Sequence, residues 1–215
     1  MKNILVIGLG RFGRHLAEKF IELGDEVMVV DRNEDAVQSM MSIVTCAQIG
    51  DCTKEEVLRS LGVENFDVCF VCMGEDFQSS LETTDLLRSL GAKYIVSKAG
   101  RDIHAKFLLK NGADEIIYPE KDMAAKAAVR FSSNHLADYF EISDDVAIYE
   151  IFVPDSWESK SIAQLNVRAK YGINILAVRK NSGELNSNPS PDFIFSKGQR
   201  MIVLATQSNV KRFIK

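Results

Sequence analysis

The chain has 215 residues, enough for two small domains, and 46% of them are hydrophobic against 26% charged, so it can bury a core and stay soluble. Its formal net charge is −4, without the basic excess of a non-specific nucleic-acid binder, so no nucleic-acid polymer is expected as a partner. No stretch approaches the roughly 18 apolar residues of a membrane helix, and Met1-Lys2-Asn3 leads straight into an apolar strand with no signal-peptide pattern.

The first 118 residues alternate strand and helix patterns. Asn3–Ile7 is a short apolar strand, and Phe12, Leu16, Phe20 and Leu23 then recur at helical spacing up to Gly24. Glu26–Asp31 is a valine-rich second strand, Glu34–Met41 a helix and Ile43–Ile49 a third strand. Lys54–Leu61 reads as a helix ending at Gly62, and Val68–Met73 as an uncharged, central parallel strand. Asp76–Leu90 is a long helix, Tyr94–Lys98 a fifth strand, Ile103–Lys110 a helix and Glu115–Tyr118 a sixth strand. This rhythm predicts an α/β domain with a Rossmann-type doubly wound parallel sheet over residues 1–118. Pro119 and the alanines after it predict a crossover helix, which with its linker takes residues 119–139. Strands at Val146–Val153, Ile173–Arg179 and Arg200–Ala205, with short helices at Ile162–Leu165 and Val210–Ile214, predict a small α+β domain over 140–215.

Gly8-Leu9-Gly10-Arg11-Phe12-Gly13 is a GxGxxG sequence that follows a strand and opens a helix. In that setting Gly8 makes the tight turn, Gly10 admits phosphate to the backbone, and Gly13 lets helix and strand pack closely. The helix start offers free N–H groups to the phosphates. Asp31 closes the second strand, where a carboxylate accepts from ribose hydroxyls and repels a 2′-phosphate; Arg32 beside it softens that exclusion of NADP. Asp51-Cys52-Thr53 and Gly74-Glu75-Asp76 follow the third and fourth strands, Lys98 ends the fifth, and together they should complete the pocket. Asp51 either accepts from an adenine amino group or caps the helix after it, and Lys98 either meets phosphate or is solvated. The candidate cofactor-binding set is Gly8, Gly10, Arg11, Phe12, Gly13, Asp31, Arg32, Asp51, Cys52, Gly74, Glu75, Lys98 and Arg101. Cys69 and Cys72 form a CxxC pattern, but three residues apart on a strand they face opposite ways and read as buried thiols. His15, His104 and His135 lie on separate helices without metal-ligand spacing, and no catalytic residue is assigned.

Several stretches together resemble the Ktr/Trk regulators of potassium uptake, RCK (KTN) proteins with a TrkA-N and a TrkA-C domain. They are the glycine loop, Gly50-Asp51-Cys52-Thr53, Gly112-Ala113-Asp114, Tyr118-Pro119-Glu120-Lys121-Asp122-Met123 and Asn166-Val167-Arg168-Ala169-Lys170-Tyr171-Gly172. The resemblance spans nearly the whole chain and is nearest the KtrA type. It implies a non-enzymatic cytoplasmic homo-oligomer, with dimers assembling to an octameric ring. That ring would sit at the inner face of the cell membrane under a membrane potassium-transporting subunit. It implies ATP or ADP, or else NAD or NADH, in the Rossmann pocket. Arg11 would reach the γ-phosphate across a dimer, unless it is a solvated helix-start arginine. Glu120 would help hold Mg²⁺ or Ca²⁺, its plain reading being a first-turn acid. Cyclic di-AMP would bind at Val167, Arg168 and Ala169, where Arg168 alone would read as a surface arginine. Gly74-Glu75-Asp76-Phe77 departs from the Gly-Ala-Asn type of the KtrA loop, and its carboxylates would weaken ATP or make its binding more metal-dependent. The rival readings are an NAD-dependent oxidoreductase and a stand-alone dinucleotide sensor.

Overall fold

The computed structural model describes residues 1–214, and the chain divides into two compact units, Met1–Lys121 and Asp122–Lys215.

In the first unit, strands β1 (Asn3–Ile7), β2 (Glu26–Asp31), β3 (Cys46–Ile49), β4 (Val68–Val71), β5 (Ile95–Lys98) and β6 (Glu115–Ile117) form one sheet of order β3-β2-β1-β4-β5-β6. Every pairing in it is parallel. Helices α1 (Arg11–Glu22), α2 (Glu34–Gln38), α3 (Glu55–Leu61), α4 (Phe77–Ser89) and α5 (Asp102–Lys110) connect the strands. Strand order reverses between β1 and β4, so the loops leaving these two strands diverge and open a crevice at their carboxyl ends. The core lies on both faces of the sheet: Ile4, Val6, Val27 and Val29 on one, Leu5, Ile7, Val30 and Val71 on the other. Cys69 packs on one face and Cys72 on the other, both as free thiols pushed up to about 12 by burial.

A stripe of buried hydroxyls on α4 holds this unit's second layer. Ser80 Oγ meets His104 Nε2 at 2.6 Å, Thr84 Oγ1 meets Ser97 Oγ at 2.9 Å, and Thr83 Oγ1 donates to the Cys52 carbonyl. Gly100 N–H donates to His104 Nδ1, which leaves the proton on Nε2 and makes His104 the donor to Ser80. Burial, and then Arg101, lower the pKa of His104, in keeping with a neutral structural imidazole.

Helix α6 (Pro119–Phe131) contains the boundary between the units. In the second unit, strands β7 (Leu136–Glu141), β8 (Val146–Phe152), β9 (Asn174–Arg179), β10 (Leu185–Asn186) and β11 (Arg200–Thr206) form an antiparallel sheet of order β10-β9-β11-β8-β7. Helices α7 (Ile162–Leu165), α8 (Val167–Tyr171) and α9 (Gln207–Ile214) accompany it. One expectation is corrected here: residues 136–139 are no linker but the start of β7, paired with β8. Its sequence, Leu-Ala-Asp-Tyr-Phe-Glu, is an edge strand that buries Leu136 alone, so the alternation that marks a half-buried strand is faint.

Trp157 anchors this second core. It is buried, with Tyr171, Phe195 and Phe213 at centroid distances of 5.2, 5.8 and 5.4 Å. Trp157→Ala removes three ring contacts at once and is expected to destabilise the second unit by about 3–5 kcal/mol. Urea unfolding followed by far-ultraviolet circular dichroism checks this. An unchanged midpoint would show that the cluster contributes little.

Candidate nucleotide site

The crevice at the switch point is a cavity of about 910 Å³, the size of a small-molecule site. Its floor is the glycine loop between β1 and α1. Gly8 has φ of +95°, a conformation that side chains rarely adopt, and its N–H donates to the Val30 carbonyl at 2.8 Å. A Cβ at Gly13 would overlap the Gly8 carbonyl oxygen, so this helix can begin against this strand only with glycine there. A Cβ at Gly10 would meet nothing within 4 Å, so the space over the loop is open to a ligand. The first backbone bond into α1 runs from Arg14 N–H to the Gly10 carbonyl at 3.1 Å. The amides of Arg11, Phe12 and Gly13 precede it and are the free donors of the helix start, beside that of Gly10.

Asp31 sits across from this loop at the end of β2. Its Oδ2 accepts from Leu9 N–H at 2.5 Å and its Oδ1 from Asn33 N–H at 2.8 Å. The carboxylate therefore fixes the glycine loop and keeps lone pairs for a further donor. Arg32 follows it, exposed on the cavity rim. Asp51 folds into a turn, with Oδ1 accepting from Thr53 Oγ1 at 2.7 Å and Thr53 N–H at 3.1 Å. Those two bonds hold its pKa below the usual value. The cap of α3 is Lys54, without a side-chain bond, so Asp51 does not cap that helix. Cys52 is buried and pushed up to about 12, chiefly by burial, which makes it a packing residue of the wall. Asp76 caps α4, accepting from Ser79 N–H and Ser79 Oγ, and these bonds lower its pKa, whereas Glu75 is exposed on the rim.

Lys98 crosses the far wall. Its stem lies against Gly74, its ammonium is 5.9 Å from the Phe12 ring centre, and its Nζ donates to Glu120 Oε1 at 2.8 Å. Only 13% of the side chain is exposed, so it is not a freely solvated lysine. The Lys98 bond, before any other influence, keeps the pKa of Glu120 low. Arg11 lines the cavity from the start of α1.

The structure thus gathers Gly8, Gly10, Arg11, Phe12, Asp31, Arg32, Asp51, Cys52, Gly74, Glu75, Lys98 and Glu120 around one cavity, with Gly13 directly beneath. Arg101 is not among the residues lining it. Its guanidinium lies over the Phe77 ring, 5.3 Å from the centroid, because α5 starts there and turns the side chain toward α4. Arg14, Asn33, Met73 and Ser79 also line the cavity without having been singled out in the sequence. Arg14 had one legible signal, its place four residues after Gly10 on the helix face that returns over the loop. In the second unit Val167 is buried in the core, Ala169 is exposed, and Arg168 Nη2 donates to Asn174 Oδ1 at 2.6 Å. Among the described residues no group of three His, Cys, Asp or Glu side chains could hold a metal ion.

A parallel sheet with a glycine loop at its switch point, followed in the chain by a small antiparallel module, is the arrangement of a TrkA-N domain followed by a TrkA-C domain. The TrkA-N domain model matches residues 4–119 and the TrkA-C domain model residues 148–215. The chain is 40% identical over 214 residues to Ktr system potassium uptake protein C of Bacillus subtilis (strain 168), covering 100% of this chain and 96% of that protein. It is 41% identical over 212 residues to protein A of the same organism, covering 99% and 95%. This chain belongs to the Ktr family of potassium uptake proteins, with a TrkA-N and a TrkA-C domain.

Two solved structures share the fold. The GsuK channel bound to NAD superposes with a TM-score of 0.68 at 20% identity, over 97% of this chain and 38% of the channel chain. GsuK bound to ADP does so with a TM-score of 0.54 at 18% identity, over 62% and 36%.

Proposed function

We propose that this protein is a non-enzymatic regulatory subunit that binds an adenine nucleotide and thereby gates a membrane potassium-transporting subunit. The observation that carries the reading is the switch-point cavity. The start of α1, whose intrahelical bonds begin only at Arg14, lines it beside the open space over Gly10, and so does the Asp31 carboxylate that holds Leu9. End-to-end similarity to Ktr potassium uptake proteins supplies the transport context, and the NAD- and ADP-bound GsuK channels supply the ligand class. ATP and ADP are the physiological pair in this proposal, with NAD and NADH as the alternative occupants. Glu120, once released from Lys98, would help hold a divalent ion, Mg²⁺ or Ca²⁺, whose charge would offset that of the phosphates. Cyclic di-AMP is proposed at Arg168, where the guanidinium would exchange Asn174 for a phosphate.

The subunit works as a homo-oligomer of dimers, an octameric ring at the cytoplasmic membrane face. Within the chain α6 buries no residue, and Met123 and Phe131 are 65% and 78% exposed. A second copy of the chain would cover them. Among the described residues no helix is long and apolar enough to cross a membrane, so membrane association would run through the transporter subunit.

Calorimetric titration of the purified protein with ATP, ADP, NAD and NADH tests the nucleotide reading. The parent should bind at least one of them without consuming it. Asp31→Ala should weaken that binding by about ten- to a hundredfold, since ribose and the Leu9 amide both lose their acceptor. A parent protein that binds none of the four would refute the reading.

A further inference from the structure

Leu9 is held by both of its backbone groups, which belong to successive peptides. Its N–H donates to Asp31 Oδ2 at 2.5 Å, and its carbonyl accepts from Arg14 Nε at 2.8 Å, while its side chain is buried in the core. Arg14 stands one turn into α1, and its own amide donates to the Gly10 carbonyl. It lines the cavity and makes no ion pair among the described residues, so the Leu9 carbonyl is what sets the place of its guanidinium. A cationic donor on a neutral carbonyl is a strong hydrogen bond. The Leu9 carbonyl shares its peptide with the Gly10 amide, and the amides of Arg11, Phe12 and Gly13 follow, so their direction depends on how that peptide is turned.

We infer that Arg14 is a positioning residue of the phosphate loop: its Nε pins the Leu9 carbonyl and so aims the following amides into the cavity before any ligand arrives. Asp31 holds the preceding peptide through the Leu9 N–H. The part played in nucleotide binding rests on the function proposed above. A loop set in advance loses less freedom when an anion binds than one that must be ordered by it.

The side-chain chemistry offers a sharp separation between positioning and direct contact. In glutamine the amide nitrogen occupies the same place along the side chain as Nε of arginine, so Arg14→Gln keeps the bond to Leu9 and discards the charge. Arg14→Lys keeps the charge but has a methylene at that place. Arg14→Ala keeps neither. If Arg14 contacted phosphate directly, lysine would be the better replacement; if it positions Leu9, glutamine is.

The test uses the full chain and these three variants. The first readout is amide hydrogen exchange at Gly8 and Leu9 in the ligand-free protein. The second is affinity for ADP and for adenosine, which lacks phosphate, by calorimetry and chemical-shift titration. Arg14→Ala and Arg14→Lys should exchange faster and bind ADP about tenfold more weakly. Adenosine should bind them as it binds the parent, and Arg14→Gln should match the parent in both readouts. Three results would each overturn the inference: parent-like behaviour of all three variants, rescue by lysine but not glutamine, or equal losses for adenosine and ADP. If the parent binds neither ligand, the nucleotide reading fails, and the ligand-free exchange still decides whether Arg14 sets the loop.

Discussion

Gly13→Ala is expected to abolish measurable nucleotide binding and to destabilise the first unit, whereas Gly10→Ala is expected to block binding and leave the fold nearly intact. The difference follows from where each new methyl group would go. At Gly13 it would overlap the Gly8 carbonyl oxygen and sit 3.3 Å from Cys72 Cβ. The Gly8 oxygen belongs to a backbone held by its own bond to Val30, so it cannot move aside as a flexible side chain would. Either α1 must lift away from β1 or the loop must distort, at roughly 1–3 kcal/mol of overpacking, and each relocates the amides that face the cavity. At Gly10 the methyl group enters open space. The φ of −63° there suits alanine, and the loss of a favoured helix cap costs about 1 kcal/mol or less. That open space is where the phosphates would lie, so affinity should fall by roughly a hundredfold or more, equivalent to about 3 kcal/mol. Thermal unfolding and calorimetry on the same two variants separate the effects. A Gly13→Ala protein that binds ADP like the parent would show that phosphate does not use this loop.

Much of this site was legible in the sequence because its parts are local. A strand, a glycine loop and a helix follow one another within residues 3–22, and Asp31 closes the adjacent strand, so register alone brings them together. The helix and strand order of the first unit was readable for a related reason, since apolar runs, helical spacing and glycine stops alternate without interruption. The contacts that depend on tertiary placement were harder to read. Nothing along the chain announces that Lys98 would lie along Gly74 and pair with Glu120, or that Arg101 would turn toward Phe77 and away from the cavity. Asp51 could have served as a helix cap by its position, and only the Thr53 hydroxyl and amide reveal that its carboxylate is engaged in its own turn. In the second unit β7 escaped notice because an edge strand need not alternate, and α8 because five residues carry too little periodicity.

Arg11→Ala is expected to erase the distinction between ATP and ADP while leaving ADP binding nearly intact. ATP and ADP share adenine, ribose and two phosphates, so Asp31, Asp51 and the loop amides cannot tell them apart. A ligand shifts a conformational equilibrium only by its differential affinity for the two states. Under the proposed function the γ-phosphate alone would supply that difference, through charge-assisted bonds to an arginine and through a divalent ion held by Glu120. Within its own chain Arg11 lines the cavity and helps lower the pKa of Glu120. In the proposed oligomer the arginine that meets the γ-phosphate comes from the neighbouring copy, so closing that bond would draw two Rossmann units together and move the transporter docked on them. The most direct measurement is potassium flux into vesicles that contain a Ktr-type membrane subunit and this protein, with ATP and ADP compared for the parent and for Arg11→Ala. The account predicts flux that differs between ATP and ADP with the parent and does not differ with Arg11→Ala, whose ADP affinity stays near the parent value. Flux indifferent to nucleotide in the parent, or a variant that still separates ATP from ADP as the parent does, would contradict it.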